Sequence, residues 1–381
     1  DRQLVAIIME ATRLWEQTDR ETGGKTGFKR GGISYLASTS KRMEKLEKWL
    51  DIAREHQLDT RLMTRDDLEN VVDRSGANGK GHAWIGGTTT PSDAKAEAWQ
   101  AIPAVAELAR SAGVSIIENC AVRMLDVSNG VIKGVFTEKG RIACEQVVLA
   151  AGAWSGLFAR RHGVGIPQLS VRSTVCRTVP LPSLLEGNAA DESIAFRQCS
   201  DGGYNLAGGA NHDLYVGPDA FRHFFKYLPV AKEHLKDTTF RFAAPKGFPD
   251  SWTLNRNWQA DEQSPFENLR VLNPEPNRRQ VETIRKNFAT RFPQVGKPEI
   301  KTAWAGMIDS MPDIVPVVDR TREIPGMIIA TGMSGHGFGI GPGFGKIVAA
   351  MAQNKPVGHD MSRFRISRFT DGSRMMPGPA I

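Results

Sequence analysis

The segment Pro325-Gly-Met-Ile-Ile-Ala-Thr-Gly-Met-Ser-Gly-His-Gly-Phe-Gly-Ile-Gly-Pro-Gly-Phe-Gly-Lys346 decides how the rest of the chain is read. Met327–Thr331 is a short apolar, partly β-branched run entered through Pro-Gly, the pattern of a buried strand. Seven glycines follow between Gly332 and Gly345. Phe344, Ile347, Val348 and Met351 then recur at the spacing of one helical face. Strand, glycine loop and helix in that order let backbone N–H groups approach a ligand closely. The helix start adds partial positive charge, which stabilises an anion developing there. The competing reading, a flexible glycine loop with no ligand, sits poorly between a buried strand and an amphipathic helix.

Working outward, Gln146–Gly152 is a second apolar run ending in small residues and followed by Ala153-Trp154-Ser155. A buried parallel strand passing close under a flat ligand has this composition. Ala121–Val127 and Val131–Thr137 flank Ser128-Asn129-Gly130, and Asn-Gly is the strongest short hairpin signal. Arg141–Cys144 and Val114–Glu118 read as further strands. Thr90-Pro91-Ser92-Asp93 predicts a helix start with proline at the first position. That helix carries Ala98, Ile102, Val105 and Leu108 and ends at Gly113. Earlier still come helical spacing from Leu4 to Trp15, a strand over Gly31–Ala37, a helix over Ser40–His56 and a capping box at Thr64–Asp67. The glycine-rich stretch Gly76–Thr89 holds His82, which either touches a ligand or is simply solvated.

Residues 171–303 change character. Prolines increase, and short alternating strands appear at Ser173–Val179, Ser193–Gln198 and Gly203–Gly208, with a helix over Gln280–Phe292. The expected fold class is therefore α/β with an inserted antiparallel sheet (α+β). Residues 1–170 form a first domain, 171–303 the insertion, 304–355 a return to the first domain, and 356–381 a tail with a last strand at Phe364–Phe369. Strands near 27–37 and 76–90 are expected to join the insertion.

With 381 residues there is room for two domains or one large interleaved one. Net charge is +7, but the basic residues are scattered, which argues against a nucleic-acid-binding stripe. No apolar run approaches the ~18 residues that span a bilayer, and no signal pattern opens the chain. The four cysteines form no C-x-x-C, which argues against structural zinc or iron–sulfur and fits a reduced, cytoplasmic setting. No metal site is expected.

Three stretches carry a family resemblance. Asn119–Val122 with Val147–Ser155, Trp304–Asp313, and Thr331–Phe338 with Gly341-Pro342-Gly343 resemble, in order, the flavin-contacting segments of the D-amino-acid-oxidase-like FAD oxidoreductases. Within that family the chain is most similar to the β subunits of opine oxidases, hydrogen cyanide synthase and sarcosine oxidase. The resemblance implies a Rossmann-like FAD-binding domain, with Val122, Ala150, Ala151, Gly152, Trp154, Gly306, Gly335, His336, Gly337, Phe338, Gly339 and Ile340 as cofactor contacts. The family opens with a strand and a G-x-G-x-x-G turn for the FAD pyrophosphate. No glycine cluster here has that spacing, so the domain is expected to be N-terminally incomplete by roughly fifty residues, more than a bare βαβ of ~30. Where monomeric sarcosine oxidases tether flavin through cysteine this chain has Gly306, which implies non-covalent FAD. Where they place a lysine after Gly-His-Gly-Phe it has Gly339, which favours electron transfer onward over reaction with oxygen.

The activity implied is oxidation of a C–N bond in a secondary amine or amino acid: an opine, an imino acid or an N-methyl amino acid. Amide N–H groups over Gly337–Gly341 suit the anion that forms on the reduced ring, and His336 either orients that ring or is structural. A substrate carboxylate calls for a bidentate arginine, with Arg197 first and Arg241 and Arg256 behind it. Tyr204 is a further substrate contact or half-buried core. Trp84, Trp154 and Trp304 either wall the flavin or pack. The alternative is a non-catalytic, flavin-less subunit of a hetero-oligomeric dehydrogenase, and the resemblance makes other subunits expected partners.

Overall fold

A computed structural model describes residues 2–72, 84–185, 187–209, 212–228 and 238–378. His82 and most of the Gly76–Thr89 stretch lie outside them. The glycine-rich segment is strand, loop and helix, as its pattern predicts. Strand β18 (Met327–Thr331) is buried at four of its five residues, and helix α9 (Gly337–Ala352) follows it with His336 at the N-cap. On one side β18 pairs antiparallel with β17 (Val317–Arg320). On the other it pairs parallel with β9 (Val147–Leu149), Ile328 opposite Val148. The two parallel strands thus end side by side, one leading into Gly152 and the other into Gly332.

Helix α1 (Arg2–Glu21) crosses α9, and Leu4, Ile7, Ile340, Phe344 and Ile347 share one apolar cluster. A Cβ on Gly343 would lie 2.8 Å from the Ile7 carbonyl oxygen, so the crossing depends on glycine there. Trp15 stacks on Phe338, ring centroids 4.8 Å apart, and its Nε1 donates to the Phe338 carbonyl. This fixes the direction in which the helix start points.

A second sheet has ten strands. Its centre is β10 (Leu169–Thr178). One edge of β10 pairs along its length with β16 (Ile300–Ser310). Its other edge pairs with β13 (Tyr204–Gly208) and, further down, with β14 (His212–Tyr215) and then β15 (Thr238–Arg241). From β13 the sheet continues through β12 (Ile194–Gln198) and β11 (Asn188–Ala190). It then reaches β2 (Ile33–Ala37), β4 (Gly86–Thr90) and β3 (Arg61–Met63). The expected insertion and the early strands therefore form one sheet. One face packs on helix α8 (Arg278–Arg291) through Phe196, Tyr204, Leu206, Ile284 and Phe288. The other face is described below.

Three local expectations are corrected. Thr90 ends β4 instead of capping a helix. The Asp93 carbonyl accepts from the Gly31 and Gly32 amides, and Ala94–Lys95 (β5) pairs with Lys29–Arg30 (β1). Helix α4 accordingly starts at Ala98 and runs to Ser111, burying Ala101 and Ala104 while Trp99 and Ile102 stay exposed. Val114–Glu118 forms no strand, because among the described residues nothing pairs with it. The tail at Phe364–Phe369 is two 3-10 turns, anchored by Arg368 on Asp313.

Candidate active site

Three segments converge at the carboxyl ends of β9 and β18. Gln168, itself buried, is the clamp: its Nε2 donates to the Gly152 carbonyl (3.0 Å) and to the Thr331 hydroxyl (3.1 Å), and its Oε1 accepts from the Gly156 amide. The Thr331 hydroxyl lies 3.2 Å from the Gly152 carbonyl and 3.1 Å from the Asp309 carboxylate, and its one proton serves one of these acceptors at a time. The third segment arrives on β16, where the Asp309 carboxylate accepts from the Gly332 amide at 2.7 Å. Burial pushes that carboxyl upward, against the hydrogen bonds from Gly332 and Thr331. Gly332 has φ +73°, and a Cβ on it would overlap Met311, so the chain turns tightly against β16 here.

The platform is lined by small, open positions. Ala150, Ala151, Gly306, Gly335 and Gly339 are exposed, and Gly306 and Gly339 have no atom within 4 Å of where a Cβ would stand. The N–H groups of Gly337, Phe338 and Gly339 open α9, so helix geometry gives them no intrahelical acceptor. The Ile340 amide is the first to close a turn, on the His336 carbonyl. A flat ligand with an electron-rich edge fits such a surface: small residues under its face and three amide donors at its edge.

The other expected cofactor residues divide. His336 is half-buried at the helix cap. Trp154 is buried edge-on against Phe266 in a cluster with Trp258, so its ring belongs to the core. Ile340 is buried on the α1 side, leaving its backbone at the platform. Val122 opens β6 (Val122–Ser128) on a separate three-stranded sheet, outside the three segments.

The register of the large sheet sorts the substrate candidates, because directly paired residues point to the same face. Arg197 pairs with Asn205, Asn205 with Arg177, and Arg177 with Thr302. Trp304 and Gly306 lie two and four residues further along β16 and so share that face. Arg197, Arg177, Trp304 and Gly306 therefore belong to the side of the sheet opposite α8. Tyr204, one residue from Asn205, points the other way. It is 1% exposed, and its hydroxyl accepts from the Leu184 amide. Its expected substrate contact is thus replaced by a core role. Arg197 donates to the Ala96 carbonyl at 2.9 Å and lies 3.4 Å from the Glu97 carboxylate, Arg241 binds Asp213, and Arg256 binds the Asp250 carboxylate and two carbonyls, so all three are tied into the fold. Trp84 is likewise core, its Nε1 donating to Asp191. Trp304 does line the open face, with the exposed Trp99 edge-on against it, centroids 5.9 Å apart.

Sequence reasoning passed over Gln168 and gave no individual role to Thr331, Asp309 or Trp15, although Thr331 and Asp309 fall in segments that carry the resemblance. Gln168 stands just before β10 and Thr331 closes β18, so their pairing becomes meaningful only when the strands are placed together.

The family described as "DAO: FAD dependent oxidoreductase" matches residues 1–351. The chain belongs to that family. The 4-methylaminobutanoate oxidase (formaldehyde-forming) of Paenarthrobacter nicotinovorans is 24% identical over 364 residues, which is 94% of this chain and 38% of that protein. The D-amino acid dehydrogenase of Sinorhizobium medicae is 25% identical, covering 75% of this chain and 55% of its own length. The chain thus spans only about a third to a half of these two relatives. Monomeric sarcosine oxidase from a Bacillus strain is 22% identical over 96% of this chain and 82% of its own. Among solved structures, the L-amino acid deaminase of Proteus myxofaciens in complex with anthranilate superposes with a TM-score of 0.87. It is 26% identical over 95% of this chain and 80% of that one.

FAD is the cofactor of this family. The open glycines, the exposed Ala150 and Ala151 and the α9 amides fit the ring end of FAD. Among the described residues no helix is long and apolar enough to cross a membrane.

Proposed function

We propose that the chain oxidises a C–N bond of a secondary amine or amino acid, with the ring of non-covalently bound FAD seated on residues 150–152, 306 and 335–339. When bound, FAD supplies the hydride acceptor and takes up the negative charge that follows. The chain's own part is electrostatic. The Gly337, Phe338 and Gly339 amides hold that charge in a fixed geometry, and removing one donor of this kind typically costs about 2.7–4 kcal/mol of barrier. Glycine at 306 offers no thiol, so a thioether to the flavin at that position is excluded and non-covalent binding is the reading adopted. The observation that carries the reading is the Gln168 clamp, whose Nε2 donates to both the Gly152 carbonyl and the Thr331 hydroxyl and so holds 152 and 331 together.

Sheet geometry also bears on substrate size. Arg197 lies three strands from β16 and level with Thr302. At about 4.8 Å per strand and 3.4 Å per residue, it is about 20 Å from Gly306. A short N-methyl amino acid reacting near Gly306 does not reach it, even with the arginine extended. A substrate with carboxylates at both ends, of the opine kind, spans more of the gap. At that end Arg177 is bound to Asp201 at 2.6 Å and Arg197 lies 3.4 Å from the Glu97 carboxylate, and the Lys95 ammonium donates to the Gln198 carbonyl. Relatives named for 4-methylaminobutanoate and sarcosine support the amine class, and the deaminase supports an amino acid.

The test is the visible spectrum of the purified chain, followed by anaerobic addition of opines, N-methyl amino acids, proline and D-amino acids. Flavin bands that bleach fastest with an opine support the reading. A protein that stays colourless with added FAD removes it and leaves the flavin-less subunit.

A further inference from the structure

Six aromatic side chains stand in solvent around the outer end of the large sheet: Phe221, Phe224, Phe225, Phe240, Phe242 and Trp252. Phe240 and Phe242 lie two residues apart where β15 ends, and so point the same way. The Trp252 Nε1 lies 3.1 Å from the Val216 carbonyl and 3.2 Å from the Phe242 carbonyl, which sets its indole beside that strand. Phe221, on helix α6 (Pro218–Arg222), packs on Trp252 with ring centroids 5.9 Å apart. Phe224 and Phe225 follow one turn later, 5.6 Å from each other.

The extent of this face is unusual. The six exposures together equal about four fully exposed rings, which at about 200 Å² each is about 800 Å² of aromatic surface, above the ~300–600 Å² of the largest patch on an ordinary monomer. The face is also convex. Phe225 is 83% exposed and Phe242 95%, so these rings project outward and line no groove. The backbone beneath them is moored, since the Tyr227 hydroxyl lies 2.7 Å from the Ser310 carbonyl and 3.0 Å from that of Pro167.

The charges around the rings have one sign at the surface. Residues 212–228 and 238–256 contain three carboxylates, Asp213, Asp219 and Asp250, all buried. Asp213 is shared by Arg172 and Arg241, Asp219 by Arg160 and Arg222, and Asp250 binds Arg256. Five arginines on three carboxylates leave these ion pairs positive as a group. Lys226, held by the Phe369 carbonyl, and the exposed Lys246 bring the surplus to four.

We propose that this face docks the protein on the surface of an anionic lipid bilayer, with Phe225 and Phe242 entering the headgroup boundary. Aromatic rings ringed by cations are what such a boundary attracts, the rings to its apolar side and the cations to its phosphates. A projecting ring needs a matching pocket on a rigid partner, whereas a fluid bilayer needs none, and the positive surplus finds its complement in the lipid. The contact lies on the membrane without spanning it, and it stands independently of the substrate read for the flavin platform.

The experiment is flotation of the full chain as purified with vesicles of phosphatidylcholine alone, and with vesicles of phosphatidylcholine and phosphatidylglycerol in equal parts. The mixed vesicles are expected to bind at least tenfold more tightly, and added salt should weaken that binding. Phe225→Ser/Phe242→Ser, exposed changes that leave the fold intact, should weaken it at least tenfold and Lys246→Glu at least threefold. Val131→Ser, an exposed change on the separate three-stranded sheet, should alter nothing. Phe242→Trp should keep the affinity, and the emission it adds should shift to the blue on mixed vesicles. Absence of vesicle binding, equal binding to both kinds of vesicle, full binding by the double serine variant, or an unshifted emission from Phe242→Trp would each overturn the proposal. A dimer that the double serine variant dissolves would overturn it too, and would give the face to a second copy of the chain.

Discussion

Replacing Gln168 by methionine keeps the volume of the side chain but removes the clamp between residues 152 and 331. Three hydrogen bonds disappear: Nε2 to the Gly152 carbonyl, Nε2 to the Thr331 hydroxyl, and the Gly156 amide to Oε1. Each is worth roughly 1 kcal/mol net, so the loss is about 3 kcal/mol. The Gly152 carbonyl keeps the Thr331 hydroxyl within 3.2 Å, but the Gly156 amide is left buried without an acceptor. For a chain of 381 residues, an unfolding entropy of about 2.1 cal/mol/K per residue turns 3 kcal/mol into a fall in Tm of about 4 °C. Because the clamp spans the two loops under the ring, FAD retention should weaken at the same time, by about tenfold if half of the loss falls on the bound state. Thermal unfolding monitored by circular dichroism, with and without saturating FAD, reads the first effect, and quenching of flavin fluorescence reads the second. A variant that melts lower yet holds FAD as tightly as the parent would refute the clamp as a positioning device.

Three other expectations follow from the same contacts. Burial and the nearby Asp59 push the Asp93 carboxyl up to about 6, from 3.8, against the pull of Arg30. Between those two values the folded chain holds a proton that the unfolded chain has released, so stability falls as pH rises through 6. At about 1.4 kcal/mol per pH unit this amounts to about 3 kcal/mol at pH 8. Asp93→Asn should therefore raise the urea midpoint at pH 8 and leave it nearly unchanged at pH 4, and an equal gain at both would contradict the assignment. Gly343→Val should separate α1 from α9 at a cost of about 1–3 kcal/mol, seen as a lower denaturation midpoint with loosened FAD. His336→Ala is expected to slow flavin reduction in stopped flow more than it weakens FAD retention; an unchanged reduction rate would show the ring of His336 to be structural.

The glycine segment was legible because local chemistry alone dictates it. A β-branched run, glycines and an amphipathic stretch leave few alternatives to strand, loop and helix, and the small residues after Leu149 pointed to the partner strand in the same way. Thr90-Pro91-Ser92-Asp93 misled because its capping chemistry is outweighed by pairing: the Asp93 carbonyl is held by Gly31 and Gly32, and Lys95 by Lys29. Val114–Glu118 has strand-forming residues, but a strand needs a neighbour, and none is present among the described residues. Tyr204 and Arg197 lie near each other on the same hairpin, and only the register shows that they face opposite ways. The clamp residues were invisible for a related reason. Gln168 and Thr331 are 163 positions apart, and although Thr331 opens the glycine motif, nothing local ties it to Gln168.

The groups that meet charge at this platform are peptide amides, present whatever side chains residues 337–339 carry. Point substitutions there other than to proline reshape the surface without deleting a donor, so a flavin seated as proposed tolerates drift in the lining of its own site. On the proposed seating of the flavin, selection can work on the opposing sheet, trading an arginine here or a tryptophan there to admit a new substrate, while the electron-accepting half is inherited intact.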